Sequence, residues 1–490
     1  MASCLQNVYA LGSGSHRLYD CADVSRSALI GSARRIGLFS GHVSPPSSLP
    51  SSPPGSPSSS QSGGASKSHR GEDARDRAGD METRWHTWRK KEELKRLAWS
   101  IFEYDCSFST LSNRRGAITL NDISTRMPCA EALWEAPTAQ AWNALLESGV
   151  FPLSAEKGSE FYPTLRDVIS GKMSPEALTS WGRRLCAQAM GRILWDFKEL
   201  EESVLSSPGD PNSGNGGGLG LPMLSPGLKP AKETLLRSLM VICDGVRERQ
   251  MEGGRRDGEV DGDRAHMMFV LLLFFLPADM GTWLLTGGGS LALLISHYTH
   301  LHAAFPTVSL ILCLARRPPP PRATPVDPRI TRLENIFSAD PICARTLAWN
   351  AAQIIAISRW KPVCSPTEGM RLFMAGIVLW GFGRYFREAP LSSPPAGPAP
   401  SSSSPLLGVQ EEVVRLDSRP WKGVDDWIKK GRGKATIGND QHSPNAMTEI
   451  CSEMGAREVL RVVVGILGRM RAWGLGGEFK NVLEEMVRRS

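Results

Sequence analysis

The chain has 490 residues with 57 basic and 50 acidic side chains, which gives a net charge of +7. That excess is small for the length and falls short of the clustered basic face of an autonomous nucleic-acid-binding domain, although charge alone decides neither for nor against DNA. Ten cysteines stand singly without a C-x-x-C pair. This pattern is typical of buried thiols in a reducing compartment and not of a disulfide scaffold. No charged start followed by an apolar run opens the sequence, so we predict an intracellular protein without a secretory signal.

The first half of the chain contains two segments with a helical repeat of apolar residues. Residues 25–39 place five apolar side chains near one helical face, and residues 94–111 repeat apolar side chains at steps of three and four. In the second segment Trp99, Phe102 and Cys106 also load the neighbouring face. So wide an apolar surface cannot stay solvated, and we therefore expect other helices to enclose this one.

Further helices are predicted along the rest of the chain by the same periodicity. They cover residues 176–202, 235–246, 290–302, 344–357, 370–386, 459–473 and 474–486. Residues 267–276 are apolar throughout, but Pro277 ends the run after ten residues. A membrane span needs about 20 apolar residues, so we interpret this run as a buried core helix.

A series of short motifs in residues 85–136 is characteristic. RLAWSIFEYDCSFS (96–109) is followed by a basic pair, then ITLNDIS (118–124), MPC (127–129) and ALWEA (132–136). The series resembles the fungal-specific transcription factor regulatory domain, or middle homology region, in the version found beside paired two-Cys, two-His zinc fingers. The order of the later helices also follows that family, so the resemblance covers most of residues 25–490. Its structural signature consists of Trp85, Trp88, Arg96, Trp99, Phe102, Asp105, Asp122, Pro128 and Trp134.

The predicted fold is all-α: a large irregular helical bundle or solenoid with long disordered insertions. Stretches rich in Ser, Pro and Gly cannot bury enough apolar surface to offset their ordering entropy. The predicted segments are an N-terminal remnant of the helical domain (1–43), a disordered Ser/Pro-rich insertion (44–80), a first helical part with the Trp-rich core segment (81–206), a Gly/Pro linker (207–230), an apolar helical part (231–316), a Pro-rich linker (317–328), a late helical pair (329–388), a Pro/Ser linker (389–407) and a C-terminal helical part (408–490).

Known catalytic motifs are missing from the sequence: it contains no H-E-x-x-H, no Walker-type loop and no zinc-deaminase signature. Asp105 and Asp122 could form a carboxylate pair, but a carboxylate among apolar neighbours usually bonds another helix or an arginine such as Arg114. His297, His300 and His302 could share a helix face, but no cysteine or carboxylate lies nearby in sequence to complete a metal site. We interpret them as histidines of a solvent-exposed helix end and predict no enzyme.

Three clusters of basic residues could contact DNA or direct nuclear import, but we favour solvated surface as the interpretation of each. They are residues 89–91, residues 316–322 and the group Lys429, Lys430, Arg432 and Lys434. The last group fits a short nuclear-import pattern.

By resemblance, the chain is the regulatory domain of a nuclear zinc-finger-type factor that controls RNA polymerase II transcription through partner or effector binding. DNA contact in that family belongs to zinc-binding modules, and no two-Cys, two-His finger or six-Cys cluster occurs in residues 1–490. DNA and zinc are therefore implied only for a module outside this chain, and no cofactor is predicted within it. The expected partners are transcriptional co-regulators and a second copy of the chain, with no membrane. A non-enzymatic helical scaffold and a membrane-associated helical protein, both without a DNA-linked function, remain alternatives.

Overall fold

The computed structural model describes residues 2–41, 69–149, 156–174, 177–205, 225–253, 288–318, 327–360, 365–387, 412–417, 423–438, 447–470 and 472–489. Within these residues the helices are α1 (Ala2–Gly12), α2 (His16–Arg35), α3 (His69–Ser112), α4 (Glu131–Trp134), α5 (Ala139–Glu147), α6 (Phe161–Ile169), α7 (Ser180–Leu205), α8 (Ser225–Gly253), α9 (Gly288–Ala303), α10 (Phe305–Arg316), α11 (Pro328–Ala339), α12 (Pro341–Trp360), α13 (Pro366–Tyr385), α14 (Val424–Lys430), α15 (Glu453–Arg469) and α16 (Gly474–Arg489). The all-α prediction is confirmed.

One small sheet near the C-terminus was not predicted. It consists of β1 (Val413–Arg415), β2 (Lys434–Gly438) and β3 (Met447–Glu449) in the order β1-β2-β3. β1 pairs with β2 in parallel and β2 pairs with β3 antiparallel, with Val414 opposite Ala435 and Ile437 opposite Thr448. Strands of three to five residues are too short for an alternation of apolar residues to reveal them.

Helix α3 is the centre of the first of two large apolar cores. Its Trp99 and Phe102 are fully buried, and the Trp99 ring lies 4.8 Å from the Phe161 ring on α6. Residues of α1, α2, α7 and α8 complete this core. The expectation that other helices enclose residues 94–111 is therefore confirmed, since an apolar surface on two faces is buried by neighbours on both sides.

Helices α12 and α13 form the centre of the second core, together with α9, α10, α15 and the small sheet. Both helices are buried along almost their whole length. Helix α13 begins where the Ser365 hydroxyl accepts the Thr367 N–H and Pro366 occupies the first turn, which is a typical helix start. The two helices predicted at 344–357 and 370–386 are thus the central pair of this half.

Two helices begin earlier than the sequence predicts. Helix α3 begins at His69, within the predicted insertion 44–80, and α8 begins at Ser225, within the predicted linker 207–230. Residues 69–84 contain four Arg, two Ala and two Glu, which favour helix, but they lack the apolar stripe that makes a helix recognisable. Most of the four low-complexity stretches lies outside the described residues.

Close packing of α13 on α10 predicts the effect of Gly381→Ala. A Cβ at Gly381 would lie 2.4 Å from Ile311 Cγ2, and a β-branched side chain has little freedom to move away. We expect a loss of about 1–3 kcal/mol in the free energy of unfolding, measured by urea denaturation. Gly31→Ala in α2 is the matched control, because no atom lies within 4 Å of its Cβ position. There alanine should stabilise the helix by about 0.5–1 kcal/mol. A stabilising Gly381→Ala would contradict the packing.

Candidate functional site

The tryptophan-rich signature forms a separate small core where α3 meets α4 and α5. Trp85, Trp88 and Trp134 are buried in it, and the Trp88 ring lies 5.2 Å from the ring of Trp142. The Trp88 indole N–H donates to the backbone carbonyl of Glu156 at 3.0 Å. The signature tryptophans therefore hold the N-terminal half of α3 against the following short helices.

Arg96 lies at the edge of this core and joins it to the MPC motif. Its guanidinium donates to both carboxylate oxygens of Glu131, at 3.1 and 3.0 Å, and to Glu92 at 3.1 Å, and it stacks 4.6 Å from the Trp134 ring. Glu92 also accepts the Cys129 N–H at 2.9 Å, directly after the buried Pro128. Its basic neighbours lower the pKa of Glu92 against the opposing effect of burial, which alone would raise it. These contacts join α3 to the MPC motif and to α4.

Asp105 joins three parts of the first core and is completely buried. Its carboxylate accepts the backbone N–H groups of Ala117 and Ile118 at 3.1 and 2.9 Å. It also pairs with Arg192 on α7 and, at 3.3 Å, with Arg26 on α2. The sequence correctly predicted an arginine partner but named the wrong one: Arg114 pairs with Asp23 at 2.6 Å on the surface.

Asp122 lies on the loop after α3, a few residues beyond Ala117 and Ile118, and makes a different set of contacts. It accepts the Thr119 N–H at 2.9 Å in a capping box and pairs with Arg34 at 2.6 Å. In the described structure no contact joins Asp105 to Asp122, so the alternative of a carboxylate pair is wrong. The two carboxylates therefore fix the loop separately, each through its own arginines and backbone N–H groups.

A wide cleft lies between the two cores, bordered by the start of α2, the end of α9, and helices α10, α13 and α16. We call it the outer groove. Its volume is about 990 Å³, which is the upper end of the size of small-molecule sites. Its walls are mainly apolar and aromatic and include Tyr19, Phe305, Leu312, Met374 and Phe479. The Phe479 ring stacks on Phe373 at 4.6 Å, which fixes the junction of α13 and α16 at one wall.

Two smaller spaces continue from the outer groove into the protein. The inner pocket, about 40 Å³, shares Tyr298 and His302 with the outer groove, and the deep pocket, about 70 Å³, shares Gln188 and Arg371 with the inner pocket. Arg192 lines the inner pocket while it bonds Asp105. The buried Asp105 network is therefore part of the wall behind these pockets. The pockets themselves were not predicted.

The three histidines differ from the predicted solvent-exposed helix end. His297 is fully buried, with Nδ1 2.8 Å from Asn350 Oδ1. His302 stacks on Trp195 at 4.7 Å, and its buried Nε2 has no hydrogen-bond partner among the described residues. No group of three His, Cys, Asp or Glu side chains suited to a metal ion occurs in the part of the chain that the structure describes. The histidines lie inward because α9 is enclosed by α7, α8 and α12.

Acidification should destabilise the fold through two of these histidines. Burial lowers the pKa of His300 to about 4 and of His302 to about 3, and Lys198 adds to the second effect. Since the unfolded chain protonates its histidines near pH 6.5, folded stability is full above that value and falls as pH drops towards 4. Between pH 7 and 5 we expect a loss of about 2 kcal/mol for each histidine, and so about 4 kcal/mol for the two together, measured from urea midpoints. His302→Gln should flatten this dependence, and an unchanged slope would contradict it.

The candidate import cluster lies on the surface at α14 and β2. Lys429, Lys430, Arg432 and Lys434 are all exposed. Lys430 pairs with Asp426 at 2.7 Å and Lys429 with Asp425 at 3.9 Å. Exposed pairs of this kind are weak, so a receptor could displace them.

No single helix among the described residues has both the length and the apolar character needed to cross a membrane. Helices α9 and α10 meet that requirement only when taken together, across a bend of 85°. The apolar run 267–276 lies outside the described residues.

Comparison with known proteins finds a family match in the N-terminal part of the chain. Residues 2–205 match the fungal specific transcription factor domain. Zinc finger protein klf1 of Schizosaccharomyces pombe is 28% identical over 112 residues, which are 23% of this chain and 13% of that protein. The nicotinate catabolism cluster-specific transcription factor of Emericella nidulans is 27% identical over 128 residues, 26% of this chain and 14% of that protein. No solved structure matches the chain.

The matched segment contains α1 to α7, and with them the tryptophan core, Arg96 and the Asp105 network. The chain thus covers about one seventh of the length of these two relatives. The matches support a fungal transcription regulator, whose family domain is typically not an enzyme. The resemblance drawn from the sequence motifs is confirmed over residues 2–205, which match the fungal specific transcription factor domain.

Proposed function

We propose that this chain is the regulatory part of a nuclear zinc-finger-type transcription factor that acts on RNA polymerase II genes. In this proposal an effector or co-regulator binds the chain and changes the activity of a DNA-binding module outside it. Zinc and DNA contacts belong to that module. The names of the two relatives, a zinc finger protein and a transcription factor for a catabolic gene cluster, support this assignment.

The outer groove is the observation that carries the proposal. Its borders come from α2, within the matched segment, and from α10, α13 and α16, beyond it. A molecule bound there would contact both halves of the chain at once. Binding that favours one arrangement of the two cores shifts the population toward it, and this provides a physical route from a bound effector to regulation.

A tethering experiment tests the proposal. Residues 1–490 are fused to an unrelated DNA-binding domain and assayed with a fungal reporter gene, and we expect the fusion to raise or lower transcription relative to the DNA-binding domain alone. Ser309→Trp should change this activity, because Ser309 lines the outer groove and tryptophan would fill it. Ser338→Trp, on the exposed surface of α11, is the matched control. A fusion without effect on the reporter would overturn the proposal, as would equal effects of both variants.

Nuclear import through the cluster at α14 and β2 is a separate prediction. Replacing Lys429, Lys430, Arg432 and Lys434 by Ala should reduce the nuclear fraction of a fluorescent fusion in fungal cells, because import receptors recognise clustered positive charge. The control is the double replacement of Arg488 and Arg489, two exposed arginines at the end of α16 that pair with Glu485. If both variants are as nuclear as the parent, the cluster is solvated surface only.

A further inference from the structure

We propose that the effector is a small organic acid, which binds with its carboxylate at Arg371 and its apolar body in the outer groove. This inference rests on the proposed function, because it names the class of ligand for the same site. It also goes further, since it assigns roles to three side chains that are buried between the two cores: Arg371, Gln188 and Tyr298.

Arg371 is a buried cation whose hydrogen bonds are mostly unused. Only 2% of its surface is exposed, and it lines both the inner and the deep pocket. One of its nitrogens donates to Glu368, while Nε has no partner in the described structure. A guanidinium carries five N–H donors that suit a carboxylate. Burying N–H donors without acceptors costs free energy, so an anion that accepts from Arg371 would be stabilised there.

Glu368 compensates the charge of Arg371 only in part. It is buried to the same degree, and burial raises its pKa against the opposing effect of Arg371. Burial removes the hydration of the ionised carboxylate and so disfavours the charged form. Glu368 is therefore a weak counter-ion for Arg371. Lys198 adds positive charge nearby: its ammonium lies 3.3 Å from the centre of the Phe305 ring at the wall of the outer groove. The local field therefore favours an anionic ligand over a cationic one.

Gln188 and Tyr298 provide the remaining polar contacts. Gln188 is 8% exposed and lines both pockets beside Arg371. Tyr298 lines both the inner pocket and the outer groove. Burial raises the pKa of Tyr298 to about 12, so its phenol stays protonated and can donate. An amide and a phenol that line a pocket can both donate to a carboxylate.

The sizes of the spaces decide how such an acid would lie. A buried water molecule needs a cavity of about 10–15 Å³. The inner pocket, at about 40 Å³, therefore has room for a carboxylate but not for a long chain. The outer groove has ample volume beyond Tyr298. On that side α13 presents Met370, Met374 and Ile377, flexible and branched apolar side chains that suit an aliphatic or aromatic body.

The test compares acids with neutral analogues of the same shape. Octanoate and 3-phenylpropanoate are titrated into the purified full-length chain, with octanamide and 3-phenylpropanamide as controls, and binding is measured by calorimetry and by the rise in melting temperature. We expect the acids to bind at least about tenfold more tightly than the amides, because a hydrogen-bonded charge pair is worth about 1.5–3 kcal/mol. Equal binding of acids and amides, or no binding of any probe up to about 10 mM, would overturn the inference.

Variants identify the site. Arg371→Met should remove the preference for acids, and the double variant Arg371→Met with Glu368→Gln removes both buried charges together, so that the fold keeps no unmatched carboxylate. Tyr298→Phe and Gln188→Leu leave the Arg371 pair intact and should each weaken acid binding about three- to tenfold. Acids that bind all variants as tightly as the parent would place the ligand elsewhere and refute the site.

Binding and regulation fail separately. If the acids bind at Arg371 but the tethered reporter does not respond to the chain, the site stands and the proposed function falls. If the reporter depends on Ser309 but no acid binds, the regulatory role stands and the acid class is wrong.

Discussion

Asp105→Asn should lower the free energy of unfolding by about 3–5 kcal/mol, the cost of removing one partner from a buried charge network. The carboxylate is completely buried and binds Arg26, Arg192 and two backbone N–H groups. An amide can accept one or two of these hydrogen bonds but cannot balance two guanidinium groups. Urea denaturation, followed by tryptophan fluorescence and by circular dichroism, measures the loss.

Asp23→Asn is the matched control for this experiment. Asp23 also pairs with an arginine, Arg114, at 2.6 Å, but both side chains are substantially exposed. Exposed pairs contribute about 0–1 kcal/mol, so this variant should be nearly neutral. If the two variants lose equal stability, Asp105 is not the junction that its contacts indicate.

The Asp105 network also matters for the proposed ligand site. Arg192 contacts Asp105 on one side and lines the inner pocket on the other. Asp105 in turn holds Arg26 of α2, so a single chain of ion pairs runs from the pocket wall to the N-terminal helices. A ligand that moves Arg192 would change the balance of charge at Asp105. Chains of ion pairs and packed side chains of this kind can carry energetic coupling between distant sites.

Sequence periodicity predicted the cores better than it predicted the polar contacts. The buried face of α3 and the central pair α12 and α13 follow from apolar spacing alone, because that spacing is a local property of a helix. The partner of Asp105 is not local. Arg114 lies nine residues away and is exposed, whereas Arg192 lies 87 residues away and is buried. Only the packing of α7 on α3 distinguishes between the two.

The ligand site was missed for the same reason. Its walls come from α2, α9, α10, α13 and α16, and nothing in the order of the residues shows that these helices surround one space. A local signal was nevertheless present. Arg371 interrupts the apolar run MRLFMAGIVLW (370–380), and a charge on a helix that is apolar all round must find a buried partner or a ligand. The same argument applies to Arg359, which reaches the buried Asp417.

Trp99→Ala should be as damaging as the loss of Asp105, by about 3–5 kcal/mol. The Trp99 side chain is fully buried at the centre of the first core, packs against Phe102 and Phe161, and donates its indole N–H to the Arg126 carbonyl at 2.8 Å. Alanine would leave a cavity and an unpaired carbonyl at once. Thermal and urea denaturation should both show the loss.

Trp360→Ala makes the same chemical change at the end of α12, where 70% of the side chain is exposed. Surface substitutions of this kind usually stay within about 0.5 kcal/mol. The difference between the two tryptophan variants therefore measures burial together with the Arg126 hydrogen bond, free of any effect of residue type. A small loss at Trp99 would mean that the first core can close over the missing ring. In that case α3 would not be the rigid element on which the pocket wall at Arg192 and the N-terminal helices depend.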